Sequence, residues 1–156
     1  MIIDIRKAYS ENPGEIQIYI DKKIAYFATV GKKIRLFDKN SEPLTKKFKK
    51  GPLGKTLVCD KDQNKTYKIF PQKDKNKKIY YGIRPQDESR VFRVQTFLKD
   101  NVTYLLFTED KKTVAAAKSF SDGRTLYRLY LKEENKELHR AFLAFVLYYC
   151  MLYITS

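Results

Sequence analysis

The side chains from which a catalytic or soft-metal site could be assembled are few: one histidine, His139, and two cysteines, Cys59 and Cys150. A structural zinc needs four such ligands, so this set is too small. His139 stands before Arg140 at the start of an apolar stretch, where packing or hydrogen bonding is the ordinary role of a lone imidazole. Asp60-Lys61-Asp62-Gln63-Asn64 imitates the opening of a calcium loop, but Lys65 replaces the required glycine and Pro71 stands in the place of the bidentate glutamate. It reads as a turn. No phosphate-binding P-loop or Gly-rich dinucleotide turn is present, and Glu109-Asp110 and Glu133-Glu134 read as solvated acids at a turn and a helix start. The expectation is therefore a protein without enzymatic activity, cofactor or metal.

The chemistry the chain does offer is cationic. Lys and Arg number 32 against 18 Asp and Glu, giving a net charge of +14, so the folded surface carries a strong positive potential and its partners are expected to be anionic. The densest basic stretch holds Lys46, Lys47, Lys49, Lys50 and Lys55. Gly51 and Gly54 are interleaved there and would let backbone N–H groups approach an anion. Lys32, Lys33 and Arg35 form a second group, and Lys73, Lys75, Lys77 and Lys78 another. Lys46, Lys47, Lys49, Lys50 and Lys55, with Lys32, Lys33 and Arg35, are the candidate anion-binding set. Against that stands a plainer function for strand lysines, which keep sheet edges apart and the protein soluble. Phe48, Phe70, Tyr80 and Tyr81 among the basic residues keep nucleic acid open as an alternative partner.

Cys59 and Cys150 lie far apart between apolar neighbours, as buried thiols do, and a small secreted domain would carry more cysteines. A Cys59–Cys150 bridge stays open. The first residues, Met1 to Lys7, mix acid and base without an apolar core, unlike a secretory signal. The expected setting is the cytoplasm, free or peripheral at a membrane, with the chain a monomer.

The elements that must position these residues follow from polarity. From Met1 to Leu131 short segments alternate in polarity between charged or Gly-containing turns, the pattern of half-buried antiparallel strands. Twelve are expected: 2–9, 15–20, 23–30, 32–38, 44–49, 55–59, 66–70, 78–83, 91–97, 102–107, 113–119 and 125–131. Ile16, Ile18 and Ile20 share one face of their segment, and Tyr127 and Leu129 share one of theirs. So long a meander in one domain (1–156) is expected to close into an antiparallel barrel. The period then changes: acids at 133–137 suit a first helical turn, and no charge follows between Ala141 and Ile154, so a helix over 133–154 is expected, apolar on every side. A membrane span needs about 20 apolar residues, more than this run has, although a tail anchor is the alternative. Burial within the barrel, whose interior would otherwise be too wide to fill, is the expectation.

A barrel of this strand count, threaded by the helix from Leu138 to Ile154, resembles the tubby-like fold shared by tubby C-terminal domains, phospholipid scramblases and LURP-one-related proteins. The resemblance covers the whole chain and rests on the strand count, the hairpin rhythm and the final helix, not on a short motif. It implies a non-enzymatic module that attaches to phosphoinositide headgroups through surface Lys and Arg. No individual ligand residue carries over.

Overall fold

The computed structural model describes residues 1–8, 15–30, 34–50, 56–60, 65–73, 75, 79–85, 91–121, 123–132 and 138–154; for 45–50, 56–60, 65–73, 79–80, 83–85 and 151–154 it describes the backbone alone. The fold is mainly β, antiparallel, with one C-terminal helix. The strands are β1 (Ile2–Lys7), β2 (Glu15–Ile20), β3 (Lys23–Val30), β4 (Ile34–Asp38), β5 (Thr45–Lys50) and β6 (Thr56–Asp60). They continue as β7 (Lys65–Lys73), β8 (Ile79–Pro85), β9 (Phe92–Lys99), β10 (Val102–Glu109), β11 (Lys112–Ser119) and β12 (Thr125–Leu131), and α1 spans His139–Ile154.

Nine strands form the antiparallel body, in the order β4-β3-β2-β1-β12-β11-β10-β9-β8, and the backbone ladder runs on through β7 and β6 to β5. Every neighbour follows in sequence except β1 and β12, which pair Asp4 with Arg128 and Ile3 with Leu129. Three hairpins turn on two residues, Asp21-Lys22, Asp100-Asn101 and Asp110-Lys111, all at positive φ. That left-handed pair is the turn whose twist matches paired strands, and Asp and Asn tolerate it best after glycine. Bulges between Ile5 and Arg6, Ile18 and Tyr19, and Phe107 and Thr108 add local twist.

The ladder ends at β4 on one side and β5 on the other. The seam between them is begun but not laddered: Asp38 N–H donates to Glu42 O (2.9 Å), Leu44 N–H donates to Leu36 O (2.7 Å), and Phe37 bridges Pro43.

Alternation places the core as expected. Ile16 and Ile18 are buried with Ile3 and Ile5 of β1, Tyr127 and Leu129 of β12, and Leu105 and Phe107 of β10. Every residue of α1 from Ala141 to Cys150 is buried, and with 3.6 residues per turn this covers all sides of the helix. Side chains from both arms of the sheet reach it. Phe92 and Phe107 meet Phe142 at 5.1 and 4.9 Å between centroids, Tyr81 meets Phe145 at 5.5 Å, and Tyr26 of β3 stacks on His139 at 5.9 Å. No helix among the described residues is long and apolar enough to cross a membrane. Among the described residues, α1 opens at His139, preceded by a tighter helical position at Leu138. The acids at 133–137 lie outside the described residues.

Candidate functional site

The outer face of the central strands carries a cation cluster that pairing across the sheet assembles from distant parts of the chain. Asp4 points away from the helix, yet is only 5% exposed, because basic and aromatic neighbours close over it. Arg128 Nε donates to Asp4 Oδ1 at 2.5 Å, and Arg6 Nη2 donates to Oδ2 at 3.4 Å. The Arg6 guanidinium lies 4.6 Å from the Tyr19 ring centre. Phe120 sits between two cations, with the Arg128 guanidinium at 5.0 Å and Lys118 Nζ at 5.1 Å from its centroid. The register explains the gathering: Tyr19, Asp4, Arg128 and Lys118 face one another in one row across β2, β1, β12 and β11. Side chains directly opposite on neighbouring strands lie close enough to interact.

The cluster's electrostatics are lopsided. Hydrogen bonds to Asp4, and secondarily to Tyr130, hold the Arg128 guanidinium above its ordinary value, so it is a permanent charge. One carboxylate, Asp4, contacts Arg6 and Arg128, and Lys118 stands beyond Arg128 in the row, leaving positive charge in excess. Arg6 Nε is a buried donor with no hydrogen-bond partner among the described residues. Arg6 and Arg128 keep about a third of their side-chain surface in solvent, at 36% and 33%. Guanidinium forks with spare donors suit the oxygens of phosphate or carboxylate.

The residues singled out from the sequence are distributed differently. Arg35 is exposed on β4. Lys46, Lys47, Lys49 and Lys50 lie along the backbone of β5, and Lys75 is exposed at the turn after β7. Lys32, Lys33 and Lys55, with Lys77 and Lys78 of the other group, lie outside the described residues. The strand ends flanking all three basic groups, at β3–β4, β5–β6 and β7–β8, leave from one edge of the sheet, since alternate connections of an antiparallel run share an edge. Sequence reading missed Arg6, Lys118 and Arg128. Each is an isolated cation on an alternating strand, and only pairing across β1 and β12 shows that they converge.

His139 has the hydrogen-bonding role expected of it: its Nε2 lies 2.8 Å from the Tyr26 hydroxyl, which also accepts from Arg140 Nε at 3.2 Å. Cys150 is a free thiol, so no bridge to Cys59 forms, and burial pushes its pKa up to about 12. A broad concavity of about 730 Å³ on the outer face of β9 to β11 is lined by Val91, Arg93, Gln95, Leu106 and Thr108, with Asp110 and Lys111 at its rim. No group of three or more His, Cys, Asp or Glu among the described residues could hold a metal ion. Comparison with family models, curated proteins and solved structures finds no match.

Proposed function

We propose that this protein is a non-enzymatic binding module for anionic phospholipid headgroups, recognised through its basic outer face. The observation that carries the reading is the Arg6–Arg128–Lys118 cluster, in which a single carboxylate, Asp4, offsets part of the charge and both arginines keep about a third of their side-chain surface in solvent. The net charge of +14 supplies long-range attraction to an anionic membrane, and the cluster supplies short-range donors for phosphate oxygens. The setting proposed is the cytoplasm, peripheral at the membrane, in keeping with the free Cys150 thiol.

The test is co-sedimentation with phosphatidylcholine vesicles, with and without phosphatidylserine or a phosphoinositide, over a range of salt. Binding to the anionic vesicles alone, falling steeply with salt and weakened by Arg6→Gln with Lys118→Gln, is the expected result. Equal binding to both vesicles, or to neither, overturns the proposal. Binding to RNA or DNA with greater affinity than to vesicles would replace it with the nucleic-acid reading.

The finer fold proposal is a closed, twelve-stranded, tubby-like barrel in which the β4–β5 seam, begun at Glu42–Leu44, continues along β5. Strand alternation directs the Ile34 amide toward that seam, as it does that of Leu36. Slow hydrogen exchange at Ile34 is expected of a closed barrel, and exchange at the rate of a free amide would show the seam open.

A further inference from the structure

Antiparallel order sorts the strand ends into two edges, and the two differ in their balance of charge. The odd-numbered strands all run toward one edge. There β1 ends in Lys7, β5 in Lys50, β7 in Lys73 and β9 in Lys99, with exposed Lys75 just beyond β7. The even-numbered strands run toward the opposite edge, where β4 ends in Asp38, β6 in Asp60 and β10 in Glu109, with Asp21 and Asp110 in the adjoining turns. Lysines stand at this second edge too, Lys22, Lys23, Lys39, Lys111 and Lys112 among them, but beside these acids, whereas the first edge holds only Glu15 and Asp100 as acids among the described residues, so its positive charge is less offset.

The basic edge also carries an apolar projection. On the helix-facing side of β9, Phe92 and Val94 are fully buried and Thr96 half-buried, but Leu98 is 71% exposed. The β9–β10 hairpin thus runs out beyond the core, so the next core-side position meets solvent. Phe97, 47% exposed, stacks on Tyr104 at 5.8 Å and gives the tip a second apolar side chain, with Lys99 next to it and Asp100 in the turn. Two bulky apolar residues on a rigid two-residue hairpin cost solvation in water and gain it in lipid.

We propose that the edge whose lysines are least offset by acids is the face that docks on an anionic bilayer, with the β9–β10 hairpin inserting Phe97 and Leu98 below the headgroups while the strand-end lysines contact them. This rests on the phospholipid reading above and adds the orientation. The occupant follows from complementarity: a planar anionic surface with an apolar interior satisfies a row of cations and a protruding apolar tip together.

The chain has no tryptophan, so one introduced tryptophan reports a single position. In Leu98→Trp, vesicles of phosphatidylcholine and phosphatidylserine should shift the emission to the blue, and dibrominated lipid should quench it. Ile24→Trp, also at an exposed position but near the opposite edge, should show neither. Lys73→Glu, Lys75→Glu and Lys99→Glu together should weaken binding more than about tenfold, whereas Lys23→Glu, Lys39→Glu and Lys112→Glu, the same charge change at the other edge, should weaken it less. Leu98→Asp should weaken binding roughly tenfold or more, with an unchanged circular dichroism spectrum. Vesicle binding without quenching of the Leu98→Trp variant, or equal losses from the two triple variants, overturns the orientation and leaves phospholipid binding standing. Absence of binding to anionic vesicles in the unmodified protein overturns both.

Discussion

Asp4 does more for the fold than its place on the outer face suggests. It neutralises part of a cluster that would otherwise hold Arg6, Arg128 and Lys118 against one another, so Asp4→Asn should lower stability by about 1–2 kcal/mol, modest because both arginines are partly solvated. Urea unfolding measures this. Under the proposed function the same substitution strengthens binding to anionic vesicles, since it removes the carboxylate and leaves the cations. Cys150 gives a pH dependence with a definite sign. Its native pKa of about 12 stands above the ordinary 9.0, so between about pH 9 and 12 the unfolded chain releases a proton that the native state keeps. Its contribution is whole below about pH 9 and declines as pH rises toward 12, by up to ~1.4 kcal/mol per pH unit. Comparing the alkaline unfolding of Cys150→Ala with that of the unmodified protein isolates this slope, which the variant should lack.

Among the elements, the helix and the hairpins respond to substitution in opposite ways. Phe145 of α1 is fully buried and in ring contact with Phe107 and Tyr81, so Phe145→Ala should cost about 3–5 kcal/mol by denaturant unfolding. Phe97→Ala, on the projecting hairpin, should change stability far less. The two-residue hairpins hold strain at their second position, where Lys111 has a φ of 66°. Lys111→Gly should stabilise the chain by up to ~1 kcal/mol, because glycine adopts this backbone without steric cost, and a rise in thermal midpoint would report it.

For the whole molecule, the core is shared: strand side chains from β3, β8, β9, β10 and β12 are covered by one helix, and the helix by them. Removing residues 138–156 should therefore leave no cooperative thermal transition, since each buried aromatic or aliphatic side chain of α1 contributes roughly 1.5–3 kcal/mol. A folded, soluble remainder would show instead that the helix is dispensable to the sheet. The two edges belong to this scale too, because their charge difference is a product of strand direction around the entire sheet.

Polarity along the chain was enough to locate the strands, to divide Ile16 and Ile18 from Gln17, and to identify a helix that must be enclosed, because alternation and uniform apolarity are local properties that burial enforces. The expected helix start at 133 lies outside the described residues, among which the helix is seen from His139 onward. The Asp4–Arg6–Arg128 cluster was not legible, because it depends on β1 pairing with β12, a contact between the two ends of a meander that no local pattern specifies. The basic groups could be read as separate stretches. Only the tertiary arrangement sets the strand ends beside them along one edge, because antiparallel pairing sends alternate connections to the same side.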